Sequence, residues 1–191
     1  MNDLLKGINI FLIGMMGAGK TTVGRLLAAE LGYRFFDTDE LIELVVEKTI
    51  NQKKTIKQIF ADDGEETFRN LETNVLSDLS AYTKSIVATG GGIVLRPINW
   101  SYLHHGLVVW LDVPIEVLIE RLQNDTARPL LQNPDPGSAL QKLLDQRRSL
   151  YAEADLHIRV SASDTSEQIV ARLIAEIPTV LKSAAIDPKN N

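Results

Sequence analysis

Short apolar runs alternate along this chain with stretches whose apolar positions recur every three or four residues. Ile8 to Ile13 (INIFLI) reads as a buried strand, and a glycine-rich turn separates it from a helix over about Lys20 to Leu31. Phe35 and Phe36 make a short second strand that ends at Asp37. Ser85 to Thr89 (SIVAT) and Leu107 to Leu111 (LVVWL) predict two more strands, each followed by a turn, and Leu156 to Val160 a weaker fifth. Ser166 to Ile177 predicts a closing amphipathic helix. Strand-then-helix alternation calls for parallel strands joined by right-handed crossovers, so the expected fold is a three-layer α/β domain.

Three stretches depart from the alternation. A long helical insertion, about 38–82, lies between the second and third strands, with its helical pattern over Glu40 to Tyr82. Asn124 to Gly137 (NDTARPLLQNPDPG) holds three prolines between two helices and reads as a mobile loop or lid. After Pro178 the sequence becomes tail-like; about 180–191 is expected to be disordered, Asp187 to Asn191 most clearly. At 191 residues the whole, 1–191, makes one domain.

Composition narrows the partners. Hydrophobic residues at 45% and charged residues at 24% are ordinary globular usage. Acidic residues outnumber basic ones 25 to 20, and a net charge of −5 disfavours a nucleic-acid backbone as partner. Any anion site must therefore come from locally placed Lys and Arg. The absence of cysteine removes disulfides, thiolate metal sites and thiol catalysis, and fits a reducing compartment. The N-terminus is too short and acidic for a signal peptide, and no apolar run reaches membrane-spanning length. The expectation is a soluble, cytoplasmic monomer with no membrane partner.

Gly14-Met15-Met16-Gly17-Ala18-Gly19-Lys20-Thr21 fits G-x-x-x-x-G-K-[ST]. Such glycines let the backbone turn sharply, so that successive N–H groups point at phosphate oxygens; the lysine reaches the β- and γ-phosphates and the hydroxyl ligates Mg²⁺. The pattern follows an apolar strand and opens a helix, as that chemistry requires. The expected nucleotide contacts run from Gly17, Ala18 and Gly19 through Lys20 and Thr21 to Thr22. No Asn-Lys-x-Asp guanine-reading motif is present, which argues against a GTPase switch, and a motor ATPase would need more chain.

A small kinase needs a second pocket, and three features offer one. Asp37-Thr38-Asp39 stands at the carboxyl end of the second strand, where ligands gather in open α/β sheets. One carboxylate can face Mg²⁺ and the other a substrate hydroxyl, while Asp37 or Thr38 can equally cap the following helix. Gly90-Gly91-Gly92 follows SIVAT directly and allows close backbone approach to a ligand. Arg69, Arg128 and Arg147 can each grip a carboxylate or phosphate with two prongs. Arg69 also has Glu66 and Glu72 three residues away, so a helix-surface salt bridge competes for it. The residues describe an anionic hydroxyl compound beside ATP and leave its identity open.

Taken in order, GMMGAGKTTVG (14–24), FFDTDELIE (35–43), IFADDGEETFRNLE (59–72), ATGGGIVLRP (88–97), VVWLDVP (108–114), ARPLL (127–131) and RRSLYAEAD (147–155) resemble the shikimate kinase family. The resemblance runs from Ile8 to about Ala175. It implies a five-stranded parallel sheet like that of nucleoside monophosphate kinases, with a substrate-binding insertion and a lid. It implies ATP-dependent phosphorylation of the shikimate 3-hydroxyl in chorismate and aromatic amino acid biosynthesis. By resemblance Asp39 holds the reacting hydroxyl, Arg69 and Arg147 clamp the carboxylate, and Gly91 lines the pocket. Lys20 and the lid Arg128 stabilise the transferring phosphoryl group, Thr21 binds Mg²⁺ with Asp37 acting through water, and Arg121 flanks adenine. Two positions depart from the pattern. KTINQKKTIKQIF (48–60) lacks a glycine expected before its Thr-Ile pair, and Asp164 to Glu167 lacks a proline that packs on adenine in the family. The rival readings are a gluconate- or nucleotide-type kinase, and an inactive kinase-like binding module.

Overall fold

The structure, a computed structural model, describes residue 5, residues 7–123 and residues 135–186. Five parallel strands form one sheet: β1 (Asn9–Ile13), β2 (Arg34–Asp37), β3 (Ser85–Ala88), β4 (Gly106–Asp112) and β5 (Leu156–Arg159), in the order β2-β3-β1-β4-β5. β1 is central and wholly buried, which explains its nearly unbroken apolar sequence. β5 is an edge strand, and its alternation of buried Leu156 and Ile158 with exposed His157 and Arg159 explains its weaker signal.

The helices are α1 (Lys20–Leu31), α2 (Thr38–Ile50), α3 (Ile56–Ser80), α4 (Pro97–Leu103), α5 (Ile115–Leu122), α6 (Pro136–Tyr151) and α7 (Ser166–Ile186), with a 3₁₀ turn over Ile93–Leu95. The insertion expected over 38–82 is two helices, and they divide at Asn51, which caps α2 in the left-handed conformation (φ 53°). Where the resemblance led to a glycine being expected, α3 starts on a capping box: Thr55 Oγ1 accepts from the Gln58 N–H, and Gln58 Oε1 accepts from the Thr55 N–H at 2.8 Å. The helix kinks at Gly64, whose φ of 84° is open mainly to glycine.

The carboxyl end of the chain differs from expectation. α7 runs through Pro178 to Ile186, nine residues past the predicted stop at Ile177. Proline deprives the helix of one hydrogen bond. The apolar stripe Ile169, Val170, Leu173 and Ile177 nevertheless continues into Val180 and Leu181, which pack on the core and hold the helix together. Of the expected tail, only 187–191 lies outside the described residues. Most of the expected lid, 124–134 with Arg128, also lies outside them. Its last residues begin α6, with Asp135 capping the helix by accepting from the Ser138 N–H. Among the described residues no helix is long and apolar enough to cross a membrane.

Strand register sets up the site. Leu12 pairs with Ala88 and Ala88 with Asp37, so β1, β3 and β2 end level with one another. The segments that follow them, the Gly14 loop, Gly90–Gly92 and Asp37–Asp39, therefore emerge side by side.

Candidate active site

The first half-site is the loop after β1. Gly14 passes so close to β4 that a Cβ there would lie 2.8 Å from the Leu111 carbonyl oxygen. Gly19 turns the chain into α1 at φ 89°, a conformation that admits glycine at little cost. The loop thus delivers the N-terminus of α1, with its unpaired N–H groups and partial positive charge, to the carboxyl edge of the sheet. Lys20 lies folded over this loop, buried, its Nζ donating to the carbonyls of Gly14 and Met15 at 2.8 Å each. Thr21 Oγ1 donates to Asp37 Oδ2 at 2.7 Å. Arg121, near the end of α5, donates to the Gly17 carbonyl at 3.2 Å and so borders the loop.

Asp37 joins this half-site to the next. While Oδ2 accepts from Thr21, Oδ1 accepts from the Asp39 N–H at 3.0 Å and caps α2. The cap occupies Oδ1 alone, so it does not compete for Oδ2, the oxygen that faces Thr21. Thr38, fully buried, accepts the Gly90 N–H at 2.9 Å through its hydroxyl, which ties the start of α2 to the triple glycine. Asp39 then stands in the first turn of α2, beside Gly90.

Around Gly90–Gly92 the three glycines do different work. A Cβ on Gly90 would lie 2.7 Å from Glu72 Oε1 and 3.2 Å from Asp39 Oδ1. One on Gly91 would meet the Met16 nitrogen, the Gly14 oxygen and Arg147 Nη1 at 3.4–3.8 Å. One on Gly92 would clash with the Arg69 guanidinium group, within 2.6 Å of its Cζ. The glycines therefore let Asp39 from α2, Arg69 from α3 and Arg147 from α6 converge on one patch of backbone against the phosphate loop. Of the residues predicted from sequence, Asp39, Arg69, Gly91 and Arg147 come together here, and Lys20, Thr21, Asp37 and Arg121 gather beside them.

The sequence reading named Glu72 only as a surface partner of Arg69 and missed a second participant altogether. Arg69 is held mainly by Glu72, at 2.6 Å, and weakly by Glu65 at 3.4 Å; Glu66, one of the anticipated partners, bonds Arg96 instead. Because the Glu72 side chain is 0% exposed, this is a buried pair and no surface bridge. Burial drives the Glu72 carboxyl above its ordinary range, Arg69 draws it back down, and the nearby Asp39 carboxylate adds to the rise. Its Oε1 has no hydrogen-bond partner. The second participant is Tyr151, fully buried, whose hydroxyl donates to the Gly91 carbonyl alongside Arg147.

A cavity of about 630 Å³ lies elsewhere, beside β5, lined by Trp110, Asp112, Arg148, His157, Arg159 and Arg172 among others. No residue of the two half-sites lines it, and Arg172 is already paired with Asp164 at 2.5 Å. That pair fixes Asp164, at the head of the segment where a proline was expected, and Thr165 and Gln168 form a reciprocal cap at the start of α7.

A loop of the phosphate-binding pattern abutting a cluster that presents Asp39 and two guanidinium groups is the layout of a P-loop kinase for a small anionic hydroxyl compound. Comparison with known proteins narrows that class. The family profile described as Shikimate kinase matches residues 16–178. A shikimate kinase of Microcystis aeruginosa is 58% identical over 178 residues, covering 93% of this chain and 90% of that protein. One from a Nostoc species is 57% identical over 185 residues, covering 97% and 99%. The solved structure of shikimate kinase from Acinetobacter baumannii in complex with shikimate superposes with a TM-score of 0.82 at 37% identity, covering 97% of this chain and 98% of that one. The chain belongs to the shikimate kinase family, and the activity that goes with membership is phosphorylation of shikimate by ATP.

Proposed function

We propose that this chain transfers the γ-phosphoryl group of ATP to the 3-hydroxyl of shikimate, giving shikimate 3-phosphate and ADP, and that the two half-sites divide the work. The observation that carries the division is the convergence of Asp39, Arg69 and Arg147, from three different helices, on Gly90–Gly92 beside the phosphate loop. Arg69 and Arg147 clamp the substrate carboxylate, Gly91 lines the floor, and Asp39 holds the hydroxyl in line with the phosphoryl group. Two guanidinium groups suit a carboxylate and favour an acid over a nucleotide-type acceptor, the 57–58% identity to shikimate kinases favours shikimate over gluconate, and intact Lys20 and Asp39 favour an active enzyme over a binding module.

On the nucleotide side, the backbone from Gly17 through Ala18, Gly19, Lys20 and Thr21 to Thr22 receives the phosphates. Lys20 exchanges two neutral carbonyl partners for phosphate oxygens, and Arg128 meets the same charge from the lid over 124–137. Arg121 flanks the adenine. Thr21 Oγ1 and Asp37 Oδ2 are hard oxygen donors 2.7 Å apart, and among the described residues no cluster of three or more acidic or imidazole side chains could hold a metal alone. That donor set fits Mg²⁺, which is held by one or two protein oxygens together with phosphates and water. Bound there, Mg²⁺ would neutralise charge on the phosphates. In such a reaction positioning and charge stabilisation do most of the catalysis, and the fixed donors of both half-sites supply them. A cytoplasmic monomer, working where ATP and Mg²⁺ are both abundant, fits this chemistry.

The test is ADP release from purified protein with ATP and Mg²⁺ against shikimate, quinate and gluconate separately. ADP formation with shikimate, at a rate far above the others, is expected. Turnover of gluconate without turnover of shikimate overturns the assignment.

A further inference from the structure

We propose that Tyr151 is a positioning residue of the acceptor pocket: its hydroxyl holds the Gly91 carbonyl, so that Arg147 can leave that carbonyl for the substrate carboxylate. The inference rests on the clamp role given to Arg147 above.

Arg147 and Tyr151 are four residues apart on α6 and so share a face of the helix. Both converge on one oxygen. Tyr151 Oη donates to the Gly91 carbonyl at 2.5 Å and Arg147 Nη1 donates to it at 3.0 Å, which uses both lone pairs of that oxygen. The two donors differ in freedom. Tyr151 is 0% exposed, stacked against Trp110 at 5.8 Å, with its hydroxyl also 3.6 Å from Met15 Sδ in the phosphate loop. Burial raises its pKa, so the phenol stays a neutral donor. Arg147 is half-buried on a long, flexible side chain that can swing.

To grip a carboxylate with both prongs, Arg147 must release Gly91. A part-buried carbonyl left without a donor would penalise that release, and Tyr151 removes the penalty by staying in place. The same bond fixes the peptide between Gly91 and Gly92. That peptide is trans, so a carbonyl drawn toward α6 turns the Gly92 N–H to the opposite side. Without the hydroxyl, Arg147 becomes the sole donor to Gly91 and is held back from the substrate.

Tyr151→Phe tests this with little change in packing. Shikimate KM is expected to rise about five- to thirtyfold, with kcat within about threefold and ATP KM within about twofold of wild type. In an Arg147→Lys background the same substitution should add less than about a twofold effect, because the clamp it serves is already lost. Unchanged shikimate KM, equal losses in ATP KM and kcat, or full additivity with Arg147→Lys each overturn the proposal. Should Tyr151→Phe fold poorly, 3-fluorotyrosine placed at position 151 keeps the ring and strengthens the donor. Shikimate KM should then fall, and an unchanged value counts against the proposal. Wild type that fails to phosphorylate shikimate sinks the functional reading itself; active wild type with an unaltered Tyr151→Phe sinks only this inference.

Discussion

Gly92→Ala separates the three glycines that look alike in sequence. Gly92 sits at φ −98°, ψ 2°, which any residue adopts, so the substitution introduces no backbone strain. Its effect is steric. The new Cβ would lie within 2.6 Å of Arg69 Cζ and closer still to both terminal nitrogens, whereas ordinary contact begins at 3.4 Å. The guanidinium must retreat by about 1 Å, which disrupts its 2.6 Å bond to Glu72 and takes one prong from the carboxylate clamp. A hydrogen bond to a charged group is worth about 1.5–3 kcal/mol, or roughly tenfold to 150-fold in shikimate KM. Displacing the partner of buried Glu72 should also lower stability by about 1–3 kcal/mol. Gly91→Ala is the control, since its Cβ meets neighbours only at 3.4–3.8 Å, and it should be the milder change. Steady-state kinetics in shikimate, with ATP saturating, and thermal melts of both variants decide the matter. A Gly92→Ala enzyme within twofold of wild type in shikimate KM, or a Gly91→Ala enzyme worse than it, refutes the reasoning.

With its ammonium serving the transferring charge as proposed, Lys20→Ala should lose several orders of magnitude in kcat while shikimate affinity, measured by calorimetry, is retained. Asp39→Asn keeps shape but removes the proton acceptor, so single-turnover phosphorylation should slow by at least about 10²-fold with ATP binding largely preserved. Survival of chemistry within about threefold would reduce Asp39 to a residue of the first helical turn. Glu72→Gln concerns pH. The folded carboxyl titrates above its ordinary 4.5, so its contribution to stability is full below that value and is lost as pH rises through the folded value. Glutamine, always neutral, does not suffer that loss, and the melting temperature of the variant relative to wild type should climb as pH is raised above 4.5. A flat difference would mean that Glu72 titrates normally.

The strands and the phosphate loop were legible because each couples a local pattern to a strong requirement. β1 must be apolar to lie at the centre of the sheet, and Gly14 and Gly19 must be glycine to pass β4 and turn into α1. Glu72 was read as a surface partner of Arg69, although a signal for its burial existed. It falls on the apolar stripe Phe68, Val75, Leu76 and Leu79 of α3, all buried, so a charge there had to be paired inside. Tyr151 and Arg147 likewise continue the stripe of Leu140 and Leu144 on α6, but the partner they share is a backbone carbonyl, which carries no mark in sequence. Pro178 misled in the opposite direction. A local stop signal was overridden by packing farther along α7, the kind of tertiary effect that a short window cannot contain.

The two-sided bonding of Asp37 bears on how such an enzyme can change its substrate. One oxygen steadies Thr21 and the other the amide of Asp39, so in the roles proposed above for those two residues the donor and acceptor sides share a single anchor. Any replacement there perturbs both reactants at once, and its kinetic defects in ATP and in the hydroxyl compound should be inseparable. Arg69 and Glu72 on α3, and Arg147 on α6, hold no bond to that anchor. With Arg69 and Arg147 gripping the acceptor as proposed, selection or design can retune which acid is accepted by rewriting those two helices and leave the Asp37 anchor unaltered.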